Sequence, residues 1–311
     1  MKPMAFGIAM ALMAACALAE PPIDWPASPH GPDDTLGAIN LITPEKTAAA
    51  AALVRDGKAF PLGMVTGPAT PAYGPREYDV TILQLSDGTG VPLGENKATG
   101  NDDLVRTFIG VGSQIDGLGH MGINHYYYNK THASDFVTTA GLTRFGTHQI
   151  PPIATRGILL DMTVQFDASP VPAGTAFNRE EIDAAADAAG VTIQTGDVVL
   201  FHTGTLEAEL ESGALTQAYA GLGVEGAEYL ASLGVVAIGA DSWGLEVIPF
   251  ENPARPFEVH QTLLAKHGVY ILENMATSDL AADGPGAFFF VLGVPRLEGT
   301  VQAIINPVAM R

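Results

Sequence analysis

The run from Gly112 to His120 reads Gly-Ser-Gln-Ile-Asp-Gly-Leu-Gly-His, the densest group of polar side chains in the chain. If the run starts as a strand, Gln114 and Asp116 stand two apart and face the same side. Glycines at 117 and 119 allow a tight turn that brings His120 back toward Asp116. A carboxylate, an amide oxygen and an imidazole on one strand-turn unit could bind a divalent metal. The same composition also makes an ordinary Asp-Gly turn. A second group stands far down the chain, where His260 sits in a helical segment and Glu273 follows the apolar run Val269-Tyr270-Ile271-Leu272. A carboxylate at the end of a buried strand is costly unless it is paired or metal-bound. Capping a neighbouring helix or meeting an arginine would satisfy Glu273 as well.

Other chemistries find less support. There is no Gly-x-Ser-x-Gly for a serine nucleophile, no phosphate-binding loop and no dinucleotide fingerprint. Gly221 to Gly226 has the right glycine spacing, but no strand leads into it. His125, Tyr127 and their neighbours follow the polar run directly, and alternate members could line a pocket and stack on an aromatic substrate, or simply pack. Trp243, just after Asp241-Ser242, could wall the same pocket. His202, at the end of an apolar run, reads as a core histidine.

The elements that must position these groups follow from periodicity and turn chemistry. Thr43 and Pro44 open a helix that runs to Val54. Tyr78 to Leu85 and Thr107 to Ile115 read as strands among long loops. Then strands and helices alternate: strand Gly157 to Met162, helix Asn178 to Ala189, strand Asp197 to His202, helix Val224 to Leu233 and strand Gly234 to Ala240. Helix Val259 to Lys266 and strands Val269 to Glu273, Phe288 to Leu292 and Ala303 to Pro307 complete the chain. This pattern predicts one mixed α/β domain over residues 20–311.

Composition bounds the function. Hydrophobic residues make up 47% and charged residues 16% of the 311 residues, enough for a large core. A formal net charge of −19 repels phosphate backbones and argues against a nucleic-acid partner. Residues 1–19 carry Lys2, an apolar stretch and Ala17-Leu18-Ala19, the pattern of a secretory signal cleaved after Ala19. The stretch is too short for a comfortable membrane span. The only cysteine, Cys16, lies within it, so a mature chain would hold no disulfide. Met13 to Cys16 loosely matches a lipoprotein box, the alternative to plain secretion or a periplasmic location.

Four segments together resemble one family. Residues 110–120 align without gaps with the motif His-x-Gly-Thr-His-x-Asp-x-Pro-x-His of the cyclase family, which includes kynurenine formamidase and isatin hydrolase. Pro151 to Asp161 and Gly196 to Gly204 look like its following segments. Asp241-Ser242, His260-Gln261-Thr262-Leu263-Leu264, Gly268 and Ile271-Leu272-Glu273-Asn274 match its later pattern. The resemblance spans roughly residues 35 to 307 and implies a swivelling β/β/α fold. It also implies metal ligation by Asp116, His260 and Glu273, with His120 as the catalytic acid–base. Gly110 and Gln114 replace two motif histidines, and Leu118 replaces the motif proline. The resemblance with these losses implies one metal ion rather than two, with the Gln114 oxygen as an added ligand. Replacing nitrogen donors by oxygen favours Mn²⁺, with Zn²⁺ close behind. The implied activity is hydrolysis of an amide or lactone bond in a small cyclic or aromatic molecule, by a homo-oligomer. The rival expectation is an exported binding protein on the same fold that has lost catalysis.

Overall fold

The computed structural model describes residues 24–83 and 90–311. The expected export signal and Cys16 lie outside them, as do the last two residues of the Tyr78 to Leu85 run. A nine-stranded sheet draws its strands from Ala59 to Met310. At its centre Ile153–Asp161, Val198–His202, Ala237–Ala240 and Tyr270–Glu273 run parallel to one another. Their apolar runs are buried nearly throughout, as parallel strands covered on both faces must be. Beyond Ile153–Asp161 the sheet continues antiparallel through Gly286–Leu292, Val308–Met310 and Ala59–Pro61. Beyond Tyr270–Glu273 it continues antiparallel through Gln114–Asp116 and Gln302–Ile304.

The helices expected after Thr43 and Asn178 begin where the sequence chemistry predicts. Thr43 Oγ1 accepts from the Lys46 N–H and Pro44 opens helix Pro44–Ala51. Glu181 Oε2 accepts from the Asn178 N–H at 2.9 Å, which fastens the start of Arg179–Ala188. That helix and Val224–Ser232 bury Ile182, Ala185, Ala227 and Leu230. Among the described residues no helix is long and apolar enough to cross a membrane.

Two elements differ from expectation. Thr107 to Ile115 is not one strand. The chain leaves an outlying hairpin, Tyr78–Leu83 paired with Asp102–Thr107, turns through residues 108–113 and enters the large sheet only at Gln114. Gly112 supplies the positive φ of 74° that this turn requires. The segment Val259 to Lys266 is helical, but Glu258–His260 passes into a π-helix over Gln261–His267. An apolar pattern does not distinguish i→i+5 from i→i+4 bonding.

Candidate metal centre

Strand register brings the two distant polar groups together. Gln114 lies directly opposite Glu273 on one side, and Asp116 lies opposite Gln302 on the other. Alternation sends Ile115 into the core and leaves Gln114 and Asp116 on the same face. At the end of its strand Glu273 is followed by Asn274, held at φ +52°. Asn274 Nδ2 donates to the Gly112 carbonyl at 3.1 Å, and its own carbonyl accepts from Ser113 Oγ at 2.5 Å. Ser113 is therefore a turn residue that ties the polar loop to the strand end.

His260 sits at the junction of the α and π segments, a kind of irregularity that concentrates at functional sites. Its Nδ1 lies 2.5 Å from Glu246 Oε1. Its Nε2 faces Glu273 Oε1 at 3.3 Å and Asp116 Oδ2 at 3.7 Å. His120 returns to the same place because its N–H donates to the Gly117 carbonyl at 2.9 Å, closing a turn. Gly117 is needed there for space: a Cβ would stand 2.8 Å from the Val301 carbonyl oxygen. His120 Nε2 lies 3.8 Å from Asp116 Oδ2, and the two imidazoles are 6.3 Å apart between centroids.

The electrostatics are those of a crowded anionic site. Asp116, Glu246 and Glu273 are all buried around the buried His260. Burial, then the charge of Asp116, pushes the Glu273 carboxyl up to about 7. Burial opposes charge on His260, but its bonds to Glu246 and Glu273 outweigh that and raise it to about 10. Burial lowers the pKa of His120, against the pull of Asp116, so its ring is neutral at neutral pH.

These residues fit a divalent cation. Asp116, His260 and Glu273 each offer a ligand atom, all within 4.8 Å of one another. The oxygens are divided between two tasks. Asp116 Oδ1 accepts from Gln302 Nε2 at 2.7 Å and from Gln114 Nε2 at 3.4 Å, and Glu273 Oε2 accepts from Gln114 Nε2 at 2.6 Å. Asp116 Oδ2, facing His260, is buried without a hydrogen-bond partner among the described residues. With Nδ1 anchored by Glu246, His260 presents Nε2 to the same point, the arrangement that orients a ligating histidine. The sequence expects Gln114 to lend its oxygen to the ion, and register sets its side chain against Glu273. Its amide nitrogen donates to Glu273 and Asp116, and its Oε1 is buried with no hydrogen-bond partner among the described residues.

The expected pocket residues separate. Trp243 stacks on Tyr73 at 4.3 Å and meets the Phe257 edge at 6.4 Å, and Phe257 packs 5.5 Å from the His260 ring. These three rings form a continuous row of ring contacts that ends at His260. Trp243 Nε1 and Tyr219 Oη are buried without hydrogen-bond partners among the described residues. Tyr219 is close enough to Glu273 and Glu246 that, after burial, their charges raise its pKa. Tyr127 instead packs edge-on against buried Phe136 at 5.1 Å, and His125 is exposed with its ring toward His132. Residues 125–128 are not one strand: His125 lies in a turn at φ +67°, Tyr126 makes isolated bridges and Tyr128 opens a 3-10 helix, so their side chains do not alternate toward one pocket.

A second cluster lies beside the ends of the neighbouring strands: His202 and Asp241 at those ends and Glu207 in the helix Thr205–Ser212. Its Asp241 oxygens already accept from Thr203 N–H, Thr203 Oγ1 and Gly204 N–H, and His202 Nδ1 meets Thr277 Oγ1 at 2.8 Å. This is the satisfied core histidine expected from the sequence. Sequence reasoning missed Glu246, Gln302, Tyr73, Phe257 and Tyr219. The only available signals were an isolated glutamate after Gly244-Leu245 and a glutamine in an apolar run near the C-terminus.

Comparisons with known proteins show the family and the fold. The Cyclase family model matches residues 60–247. A solved structure described as a novel cyclase is 27% identical, with a TM-score of 0.81 over 91% of this chain and 96% of that one. Isatin hydrolase A from Ralstonia solanacearum is 17% identical, with a TM-score of 0.63 over 86% of this chain and 97% of its own. A structure described as a potential metal-dependent hydrolase with cyclase activity is 19% identical, with a TM-score of 0.54 over 81% and 98%. These last two speak to the fold alone. No curated protein matches the chain. The matched family model spans more than half of the chain and the same mixed α/β fold recurs in the solved structures, so this chain belongs to the Cyclase family.

Proposed function

We propose that the chain is a metal-dependent hydrolase that opens an amide or lactone bond in a small cyclic or aromatic molecule. The observation that carries the reading is the convergence of Asp116, His260 and Glu273 on one point, with Asp116 Oδ2 buried and unpartnered there. One divalent ion is held by these three residues. Two carboxylate oxygens and one imidazole suit Mn²⁺, with Zn²⁺ as the alternative. When bound, the ion supplies Lewis-acid activation of water and of the scissile carbonyl. His120, neutral and half-buried beside Asp116, accepts and returns the proton. Glu246 holds the His260 ring, and Gln114 and Gln302 hold the carboxylates. The rings of Tyr73, Trp243 and Phe257 bind a flat apolar substrate, and the Trp243 N–H and Tyr219 O–H are donors for its polar groups. The secretory pattern of residues 1–19 supports export, and the outlying hairpin supports self-association.

The structural likeness to isatin hydrolases points the first substrate screen toward isatin-like rings, lactones and arylformamides. Elemental analysis of the gently purified protein should find about one divalent ion per chain, one ligand set holding one ion. His120→Ala should keep the ion and lose about 10²- to 10⁴-fold in turnover. Asp116→Ala should lose ion and turnover together. Loss of the ion from His120→Ala would make His120 a ligand. A metal-free protein that retains full turnover would remove the metal reading altogether.

A further inference from the structure

The space beside Gly110 holds the end of another side chain. A Cβ on Gly110 would stand 2.5 Å from Arg76 Nη1, 2.9 Å from Arg76 Cζ and 3.2 Å from Gln302 Oε1. Gly110 has no positive φ, so the glycine there answers to space rather than to conformation. Arg76 Nη1 donates to the Gly110 carbonyl at 2.9 Å. The guanidinium is half-buried. Gln302 flanks the same space and donates to Asp116 Oδ1.

Charge balance explains why a guanidinium belongs here. Asp116, Glu246 and Glu273 bring three buried carboxylates around a histidine that, with an ion bound, would donate from Nδ1 and ligate through Nε2, and so would be neutral. A single divalent ion matches two of the three negative charges. A fixed monovalent cation matches the third, and buried charge must be matched. The oxygens a second ion would need, Asp116 Oδ1 and Glu273 Oε2, already accept amide N–H groups from Gln302 and Gln114.

We propose that Arg76 is the built-in second cation of this site: seated in the space that Gly110 leaves, it balances the third carboxylate and limits the site to one divalent ion. The inference rests on the metal reading above. Arg76 is a positioning residue that acts on the ligand field through charge.

The test is metal affinity rather than turnover. Metal-stripped full-length protein is titrated with Mn²⁺ and with Zn²⁺ by calorimetry, and stoichiometry is checked by elemental analysis. The wild type binds one ion. Arg76→Met removes a repulsive charge and tightens binding by roughly tenfold, while Arg76→Lys retains the wild-type affinity. Gly110→Ala displaces the guanidinium without deleting it and tightens binding by a smaller factor; it decides the question should Arg76→Met fail to fold. A purely structural role for Arg76 predicts the opposite sign, because the Gly110 loop leading to Asp116 would lose its tether. Weaker or unchanged binding in the folded variants overturns the proposal and leaves the metal reading intact. A wild type that binds no ion, or two, overturns it as well, and only the absence of any ion overturns the metal reading with it.

Discussion

At the residue scale, the function of the candidate ligands depends on groups that are not ligands. Glu246 is the clearest case. Its Oε1 lies 2.5 Å from His260 Nδ1, which sets the tautomer that frees Nε2. It comes from a turn in which Leu245 is held at φ +57°, a conformation that costs energy for a branched side chain and persists only where its surroundings enforce it. Glu246→Gln keeps the size and removes the charge. It should weaken metal binding roughly 10- to 100-fold, the usual effect of losing such a partner. Competition against a chelator measures this. An unchanged affinity would mean that packing around His260 alone orients the ring. Gln114 and Gln302 do comparable work on the carboxylates. Each satisfies an oxygen that would otherwise repel its neighbour.

At the scale of elements, the site is a product of register. Glu273 meets Gln114, and Asp116 meets Gln302, because three strands end together at one edge of the sheet. The adjacent parallel strands end in a different device. Asp241 takes backbone N–H groups of Thr203 and Gly204 and fastens the end of Val198–His202 to that of Ala237–Ala240. His202 joins it, with Nδ1 3.3 Å from Asp241 Oδ2. Burial opposes charge on His202, but the bond to Asp241 outweighs it and raises the pKa above 6.5. A raised histidine pKa stabilises the fold fully below the unfolded value, and this contribution fades as pH rises through the folded value. His202→Gln should therefore destabilise more at pH 6 than at pH 9, read as the difference in Tm between variant and wild type. A difference that does not change with pH would show that His202 contributes by packing and its bond to Thr277 alone.

At the scale of the molecule, the hairpin of Tyr78–Leu83 and Asp102–Thr107 stands outside the large sheet. Val80 faces Val105 across it, both are more than 40% exposed, and Ile82 on the same face is 57% exposed. A two-stranded hairpin is marginal in water by itself, and an exposed apolar edge invites pairing. The hairpin is therefore expected to be covered by a second copy. Light scattering at micromolar concentration should give a dimer or larger mass, and Ile82→Asp should lower it. A wild-type monomer would leave the hairpin as an exposed arm and remove the expectation.

Much of this could be read from the chain. Alternating strands and helices after Gly157, the caps at Thr43 and Asn178, and the grouping of Asp116 with His120 follow from local chemistry, which acts over a few residues. The pairing of that group with His260 and Glu273 could be reached only by resemblance, because nothing local connects residues more than a hundred apart. What the tertiary structure decided is which atoms meet. The fold set the Gln114 side chain against Glu273 by strand register. It brought Glu246 and Gln302 to the ligands, and Arg76 to the empty side of Gly110. It also sent Tyr127 into the core and His125 to the surface, where sequence alternation had set both against a pocket. Side-chain direction depends on the backbone of every neighbouring element at once, and that information is not stored in any one segment.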